Sequence, residues 1–257
     1  MTKIKATFLG TGTSQGIPVI ACPCQVCTSN NPKDDRTRTS LLFSIGDKNI
    51  VIDTGPDFRQ QMLREKVMNL DAVLFTHAHK DHVAGMDDIR AFNYVSKSAM
   101  EIYATTDVQD ALKREFAYVF SGSSYPGIPE VRLNTFDQER LHFFGEEIIP
   151  IDVMHYKLPV KAFRIRNFSY ITDANFISEE SFKKLEGTEI LVINALRIEP
   201  HISHFSLHEA LEIIQRIQPK KAYLTHISHL LGLHDEVSKR LPAHVEIAFD
   251  GLQIDIA

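Results

Sequence analysis

The segment Thr76-His77-Ala78-His79-Lys80-Asp81-His82 carries four metal-ligating side chains, His77, His79, Asp81 and His82, within six positions. Imidazole nitrogens and carboxylate oxygens suit a borderline divalent ion such as zinc and also accept manganese, iron or nickel. Ligands on one helix face recur at i, i+3 or i+4, whereas the i, i+2, i+4, i+5 spacing here fits a loop at a strand end that divides its ligands between two ions. The apolar run Asp71-Ala-Val-Leu-Phe75 just before the segment supplies that strand. The alternative is a polar loop in which Asp81 caps a helix beginning near Val83, but this leaves three crowded histidines without a purpose.

Three further candidates stand at or just past the ends of strand-like runs. They are His155 after Glu147-Ile-Ile-Pro-Ile-Asp-Val153, Asp173 closing Phe168-Ser-Tyr-Ile-Thr-Asp173, and His226 closing Ala222-Tyr-Leu-Thr-His226. A lone histidine or aspartate at such a place is usually a satisfied core or loop group. All three cysteines fall in Cys22-Pro-Cys24-Gln-Val-Cys27. An odd number at tight spacing suits a metal better than a disulfide framework, with a redox pair or buried thiols as the alternative.

His-x-His-x-Asp-His after an apolar strand resembles the signature of the metallo-β-lactamase superfamily, and the cysteine cluster resembles its PhnP-type phosphodiesterase branch. The resemblance implies that His77, His79 and His155 hold one metal, that Asp81, His82 and His226 hold another, and that Asp173 bridges them. It further implies a structural zinc held by Cys22, Cys24, Cys27 and His229, the last lying three residues beyond His226. Asp53, ending Ile50-Val-Ile-Asp53, matches a family aspartate that orients the ligand loop from behind; its plainer reading is a turn-forming carboxylate. His204 matches the family histidine that meets the scissile phosphate, with His201 and His208 as competitors.

The elements that must position these groups alternate along the chain. Strand-like segments at 3–9, 40–45 and 49–53 precede a helix over 57–66, the motif strand and a helix after it. Strands near 148–153, 161–166 and 168–172, a helix over 178–186, a strand over 190–194, a helix over 206–217 and a strand over 221–225 follow. Such alternation implies α/β sheets covered by helices. The family fold is the αββα sandwich of two mixed sheets, here expected as one domain over 1–257. Between these halves lie a helix expected over 108–120 and a Gly/Pro/Ser-rich loop over 121–129, read as a lid or as plain connection. Gly10-Thr-Gly-Thr-Ser14 lacks the Walker lysine and a complete dinucleotide fingerprint, so it reads as a tight loop near the site.

At 257 residues with 44% hydrophobic content the chain can bury a large core. It has no apolar run of membrane-spanning length and its N-terminus does not read as a signal peptide, so a cytoplasmic address is expected. The net charge of −5 argues against a broad nucleic-acid-binding face. The chemistry implied is hydrolysis of a small phosphodiester, such as a cyclic ribose phosphate or nucleotide, by a hydroxide shared between two divalent ions, zinc or manganese. Asp81 would orient the hydroxide, and a protonated His204 would stabilise developing charge or protonate the leaving alkoxide. Ribonuclease Z uses the same ligand set, but its short forms carry a tRNA-gripping arm between the equivalents of His155 and Asp173, where only 17 residues lie here. A thioesterase or lactonase and a non-catalytic metal-binding domain are the other readings. Dimerisation is implied by resemblance alone.

Overall fold

Strand residues of period two divide between two apolar layers, and this alternation builds the molecule. In the computed structural model, which describes residues 2–122, 125–136 and 139–257, the first half contains β1 (Ile4–Gly10), β2 (Ser40–Ile45), β3 (Lys48–Ile52), α1 (Phe58–Arg64), β4 (Ala72–Leu74), α2 (Lys80–Val83), α3 (Arg90–Ser96), β5 (Met100–Ala104), α4 (Thr106–Glu115) and β6 (Val131–Thr135). The second contains β7 (Leu141–Phe143), β8 (Glu146–His155), β9 (Leu158–Ile165), β10 (Phe168–Ile171), β11 (Phe176–Ile177), α5 (Glu179–Leu185), β12 (Ile190–Asn194), α6 (Leu207–Ile217), β13 (Lys221–Thr225), α7 (His234–Ser238), β14 (Val245–Ile247) and β15 (Gln253–Ile256).

One sheet has the order β15-β1-β2-β3-β4-β5-β6, and the other β11-β8-β9-β10-β12-β13-β14 with β7 on β8. Ile50 and Ile52 of β3, Phe8 of β1 and Val192 of β12 meet in the layer between the sheets. Val51 and Val73 point instead to a layer shared with Phe58, Phe92 and Leu112, beneath α1, α3 and α4. Leu191 and Ile193 face Leu185, Ala210 and Ile214, beneath α5 and α6. Helices therefore cover both outer faces of two stacked sheets, which is the αββα sandwich.

The expected elements occur with shifted ends. The helix expected over 108–120 stops at Glu115, because Phe116 leaves helical geometry and turns into the apolar layer. The helix after the ligand loop begins at Lys80, earlier than expected, and Asp81 does not cap it. The strand expected over 161–166 begins at Leu158 and forms a tight hairpin with β8, whose last residue, His155, pairs with Leu158. Ser123 and Ser124 of the expected lid lie outside the described residues. No helix among the described residues is long and apolar enough to cross a membrane.

Candidate metal centre

Three site residues sit where a strand ends in a left-handed turn: Asp53 after β3 (φ 63°), Asp173 after β10 (φ 54°) and His226 after β13 (φ 54°). Asp and His tolerate this region better than β-branched residues do. The turns bring their side chains together above the sheet ends. Asn194 fixes the turn at Asp173 by clasping Ala174, with its Oδ1 accepting from the amide and its Nδ2 donating to the carbonyl, both at 2.9 Å. The ligand loop packs onto the end of β3 because Gly55 has no side chain; a Cβ there would lie 2.3 Å from the carbonyl oxygen of Asp81.

Asp53 is fully buried and holds that loop from behind. It accepts hydrogen bonds from the Thr76 amide and hydroxyl, both at 2.8 Å, and its Oδ2 lies 2.7 Å from His82 Nδ1. Such a carboxylate fixes the orientation of the imidazole and raises its basicity.

Asp173 lies at the centre of the ligand set. Its Oδ2 is 3.3 Å from His82 Nε2 and 3.8 Å from His77 Nε2, and its Oδ1 is 3.0 Å from His226 Nδ1. Asp81 Oδ2 is also 3.3 Å from His82 Nε2. Those three imidazole nitrogens are buried and make no hydrogen bond. Ligand atoms about 2.0–2.2 Å from a shared tetrahedral ion lie roughly 3.3–3.6 Å apart, so the donor types and spacings fit a divalent metal.

Asp81, His82, Asp173 and His226 form one compact group of ligand atoms, and His155, Asp173 and His204 form a second. His77 and His79 stand beside both, with ring centroids 4.6 Å apart, and His79 lies 5.1 Å from His155. His79 is exposed and Asp81 half-buried, so they mark the open mouth.

Burial holds the His77 imidazole well below its usual range, and His82 adds to this. For His82, burial acts downward but Asp173, Asp53 and Asp81 outweigh it and hold the ring well above the usual value. Burial likewise acts upward on Asp173, yet His226, His82 and His77 outweigh it and keep the carboxylate ionised.

Of the three histidines competing for a substrate role, His204 faces the ligands. Its ring lies 4.4 Å from that of His155 and 4.7 Å from that of His226. His201 stands behind it at 5.3 Å, and His208 is exposed on α6 beside Glu212. Burial and then His226 lower His204 to about 3, so the free site presents a neutral imidazole.

The sequence reading passed over several supports. Thr13 Oγ1 lies 3.2 Å from His226 Nε2, and the Ser203 carbonyl lies 2.7 Å from His155 Nδ1. Thr13 belongs to the glycine-rich loop, whose composition was the one available signal. Nothing in the periodicity marks Asn194 or Ser203.

The three cysteines and His229 form a separate group. Cys22, Cys24 and Cys27 Sγ lie 3.3, 3.3 and 3.6 Å from His229 Nδ1. In a tetrahedral Cys3His zinc site, with bonds near 2.3 Å and 2.0–2.1 Å, sulfur and nitrogen are about 3.5 Å apart, so these residues fit zinc. The Cys27 amide and then His229 lower the Cys24 thiol to about 6, whereas burial raises Cys27 to about 11.

A family model described as a beta-lactamase superfamily domain matches residues 48–227. The chain belongs to the metallo-β-lactamase superfamily. This superfamily member superposes with a TM-score of 0.92 on the crystal structure of a diphosphatase from the PhnP family, at 36% identity, covering 99% of this chain and 97% of that one. It is also 37% identical over 253 residues to an octanoyltransferase of Porphyromonas gingivalis, a match covering 97% of this chain and 51% of that protein. The chain thus spans about half the length of that relative. A ribonuclease Z of Clostridium kluyveri is 36% identical over 62 residues, covering 23% of this chain and 20% of that one. The Zn(2+)-bound PqqB of Methylobacterium extorquens, at TM-score 0.80 and 16% identity, shares the fold. The chain is PhnP-like within its superfamily, a hydrolase fold that typically binds divalent metals.

Proposed function

We propose that this chain is a metal-dependent phosphodiesterase acting on a small phosphodiester, such as a cyclic ribose phosphate or a nucleotide. The observation that carries this reading is the convergence of His77, His82 and His226 on Asp173, with His204 stacked on His226 and tilted against His155 beside them. Similarity to the PhnP-family diphosphatase over nearly the full length of both chains supports it.

His77, His79 and His155 would hold one ion, Asp81, His82 and His226 another, and Asp173 would serve both. Bound there, zinc or manganese supplies Lewis acidity toward phosphoryl oxygens and lowers the pKa of water. Asp81, half-buried at the mouth, accepts a hydrogen bond from the attacking water and so aims its lone pair at phosphorus. His204 donates a hydrogen bond to a phosphoryl oxygen. Protonation of the leaving alkoxide, the other role considered for it, needs an imidazolium that the bare site disfavours.

Ribonuclease Z-like cleavage of tRNA is disfavoured because β8 and β9 are joined by the two-residue turn Tyr156-Lys157, leaving no arm at that position. An acyl hydrolase is the second reading, favoured by the octanoyltransferase similarity. It would use the same metal-activated water on a carbonyl carbon, so relative rates on phosphate and acyl esters separate the two.

Hydrolysis of bis(p-nitrophenyl) phosphate by zinc- or manganese-loaded protein tests the proposal. The parent should turn over, and Asp81→Asn should lose on the order of a hundredfold or more in kcat. A metal-replete parent that cleaves p-nitrophenyl acyl esters but no phosphodiester would reverse the ranking. His204→Gln should also lower kcat about a hundredfold with active-site metal content preserved. Loss of metal together with activity would make His204 a ligand, as its grouping with His155 and Asp173 permits.

A further inference from the structure

His204 reaches the ligand set from the irregular segment 195–206, between β12 and α6. Its ring packs against those of His155 and His226, but its Nδ1 is buried without a hydrogen-bond partner among the described residues, so that nitrogen does not fix the ring's orientation. Apolar cover holds the ends of the segment, where Leu196 and Phe205 are buried. It does not hold the middle, where Ile198 and Ile202 are 47% and 66% exposed. The placement of His204 therefore depends on hydrogen bonds to the backbone on either side of it.

Those bonds lead to the turn after β10. On one side of His204, the Phe205 amide donates to the Ala174 carbonyl at 2.8 Å. On the other, Asn175 Nδ2 donates to the Ile202 carbonyl at 2.9 Å, and His155 Nδ1 donates to the Ser203 carbonyl at 2.7 Å. Asn175 Oδ1 accepts from the amide of Tyr156, the residue after His155, at 2.7 Å, and the Asn175 amide donates to the Met154 carbonyl at 2.8 Å. The two side-chain bonds fix the Asn175 amide in one orientation, because a backbone N–H only donates and a carbonyl oxygen only accepts. A single side chain two residues beyond Asp173 thus ties the end of β8, which carries His155, to the segment that carries His204.

We propose that Asn175 is a positioning residue for the hydrolytic reaction: its bond to the Ile202 carbonyl keeps His204 against the ligand set, where it meets the substrate. The inference rests on the phosphodiesterase reading for the role of His204 and adds the group through which that role is held in place.

Two variants separate the two arms of the Asn175 amide. Asn175→Ala removes both, whereas Asn175→Asp keeps an acceptor for Tyr156 and puts a second acceptor against the Ile202 carbonyl. In metal-loaded protein acting on bis(p-nitrophenyl) phosphate, each should lower kcat by about tenfold or more, with KM within about threefold of the parent and active-site metal content preserved. Because Asn175 acts through His204, the pair Asn175→Ala and His204→Gln should be no more than about threefold slower than His204→Gln alone, whereas independent effects would multiply. Amide hydrogen exchange gives a readout apart from turnover. Protection of the Phe205 amide, which the Asn175 side chain does not touch, should fall in both variants, and that of the Tyr156 amide chiefly in Asn175→Ala. Parental kcat in Asn175→Asp, multiplying effects in the pair, or loss of active-site metal in either variant overturns the inference. Parental kcat in His204→Gln instead fails the role given to His204. Unchanged protection of Phe205 in both variants overturns the anchor whatever the substrate.

Discussion

Asp173→Asn is expected to lower phosphodiester turnover by at least about a thousandfold and to strip the active-site ions while the cysteine-bound ion stays. Asparagine preserves the size of the side chain and its contact with the Thr172 hydroxyl, which lies 2.7 Å from Oδ1. It removes the one charge that three buried imidazole nitrogens face at 3.0–3.8 Å. Those nitrogens make no hydrogen bond, and a cation shared with Asp173 would offset their desolvation. Without that carboxylate the donors near His77, His82 and His226 are neutral but for Asp81, and affinity for a divalent ion falls with the lost charge. A loss of about 4 kcal/mol of charge stabilisation corresponds to the thousandfold effect. Metal content per chain, measured alongside turnover, decides the matter. Wild-type metal content in the variant would show that the histidines bind without Asp173.

The legible part of this site follows from the physics of strand ends. A run of β-branched and aromatic residues closing on Asp or His, as at Asp53, Asp173 and His226, announces both the strand and the polar group at its tip. The ligand loop announces itself through composition. The supports were illegible because they arise from contacts between segments far apart in sequence. Asn194 meets Ala174 only because β10 and β12 are parallel neighbours, and Thr13 meets His226 only because Ile227 is bonded between Thr11 and Thr13. The outer strands β5 and β6 escaped for a different reason. Glu101 in one and Arg132 and Asn134 in the other break the apolar run, and they form a polar ladder joining the two strands. The fold class needed none of these details, since the remaining alternation already implied covered sheets.

Cys24→Ser is expected to lower the melting temperature by roughly 10 °C, from a loss of about 3–4 kcal/mol, while leaving the active-site ions in place. The cysteine cluster anchors a loop with uneven apolar cover: Ile17 and Val26 are buried, but Ile20 between them is 95% exposed. Cys27 Sγ accepts from the Val19 amide at 3.3 Å, and the Cys27 amide donates to Cys24 Sγ at 3.5 Å, so the sulfurs organise their own backbone around His229. A serine oxygen at position 24 is shorter and harder than a thiolate and makes a poor fourth ligand for zinc. His229 lies three residues beyond His226, and Ile227 between them is bonded to Thr11 and Thr13 of the glycine-rich loop. A loosened cysteine loop therefore reaches the candidate metal centre through Thr13 and His226, and turnover of the folded variant should fall only a few-fold. A chelator should lower the melting temperature of the parent by more than that of the variant, since only the parent still has a cysteine-bound ion to lose. An unchanged melting temperature in the variant would leave the thiols a redox or packing role and remove the structural ion from the account.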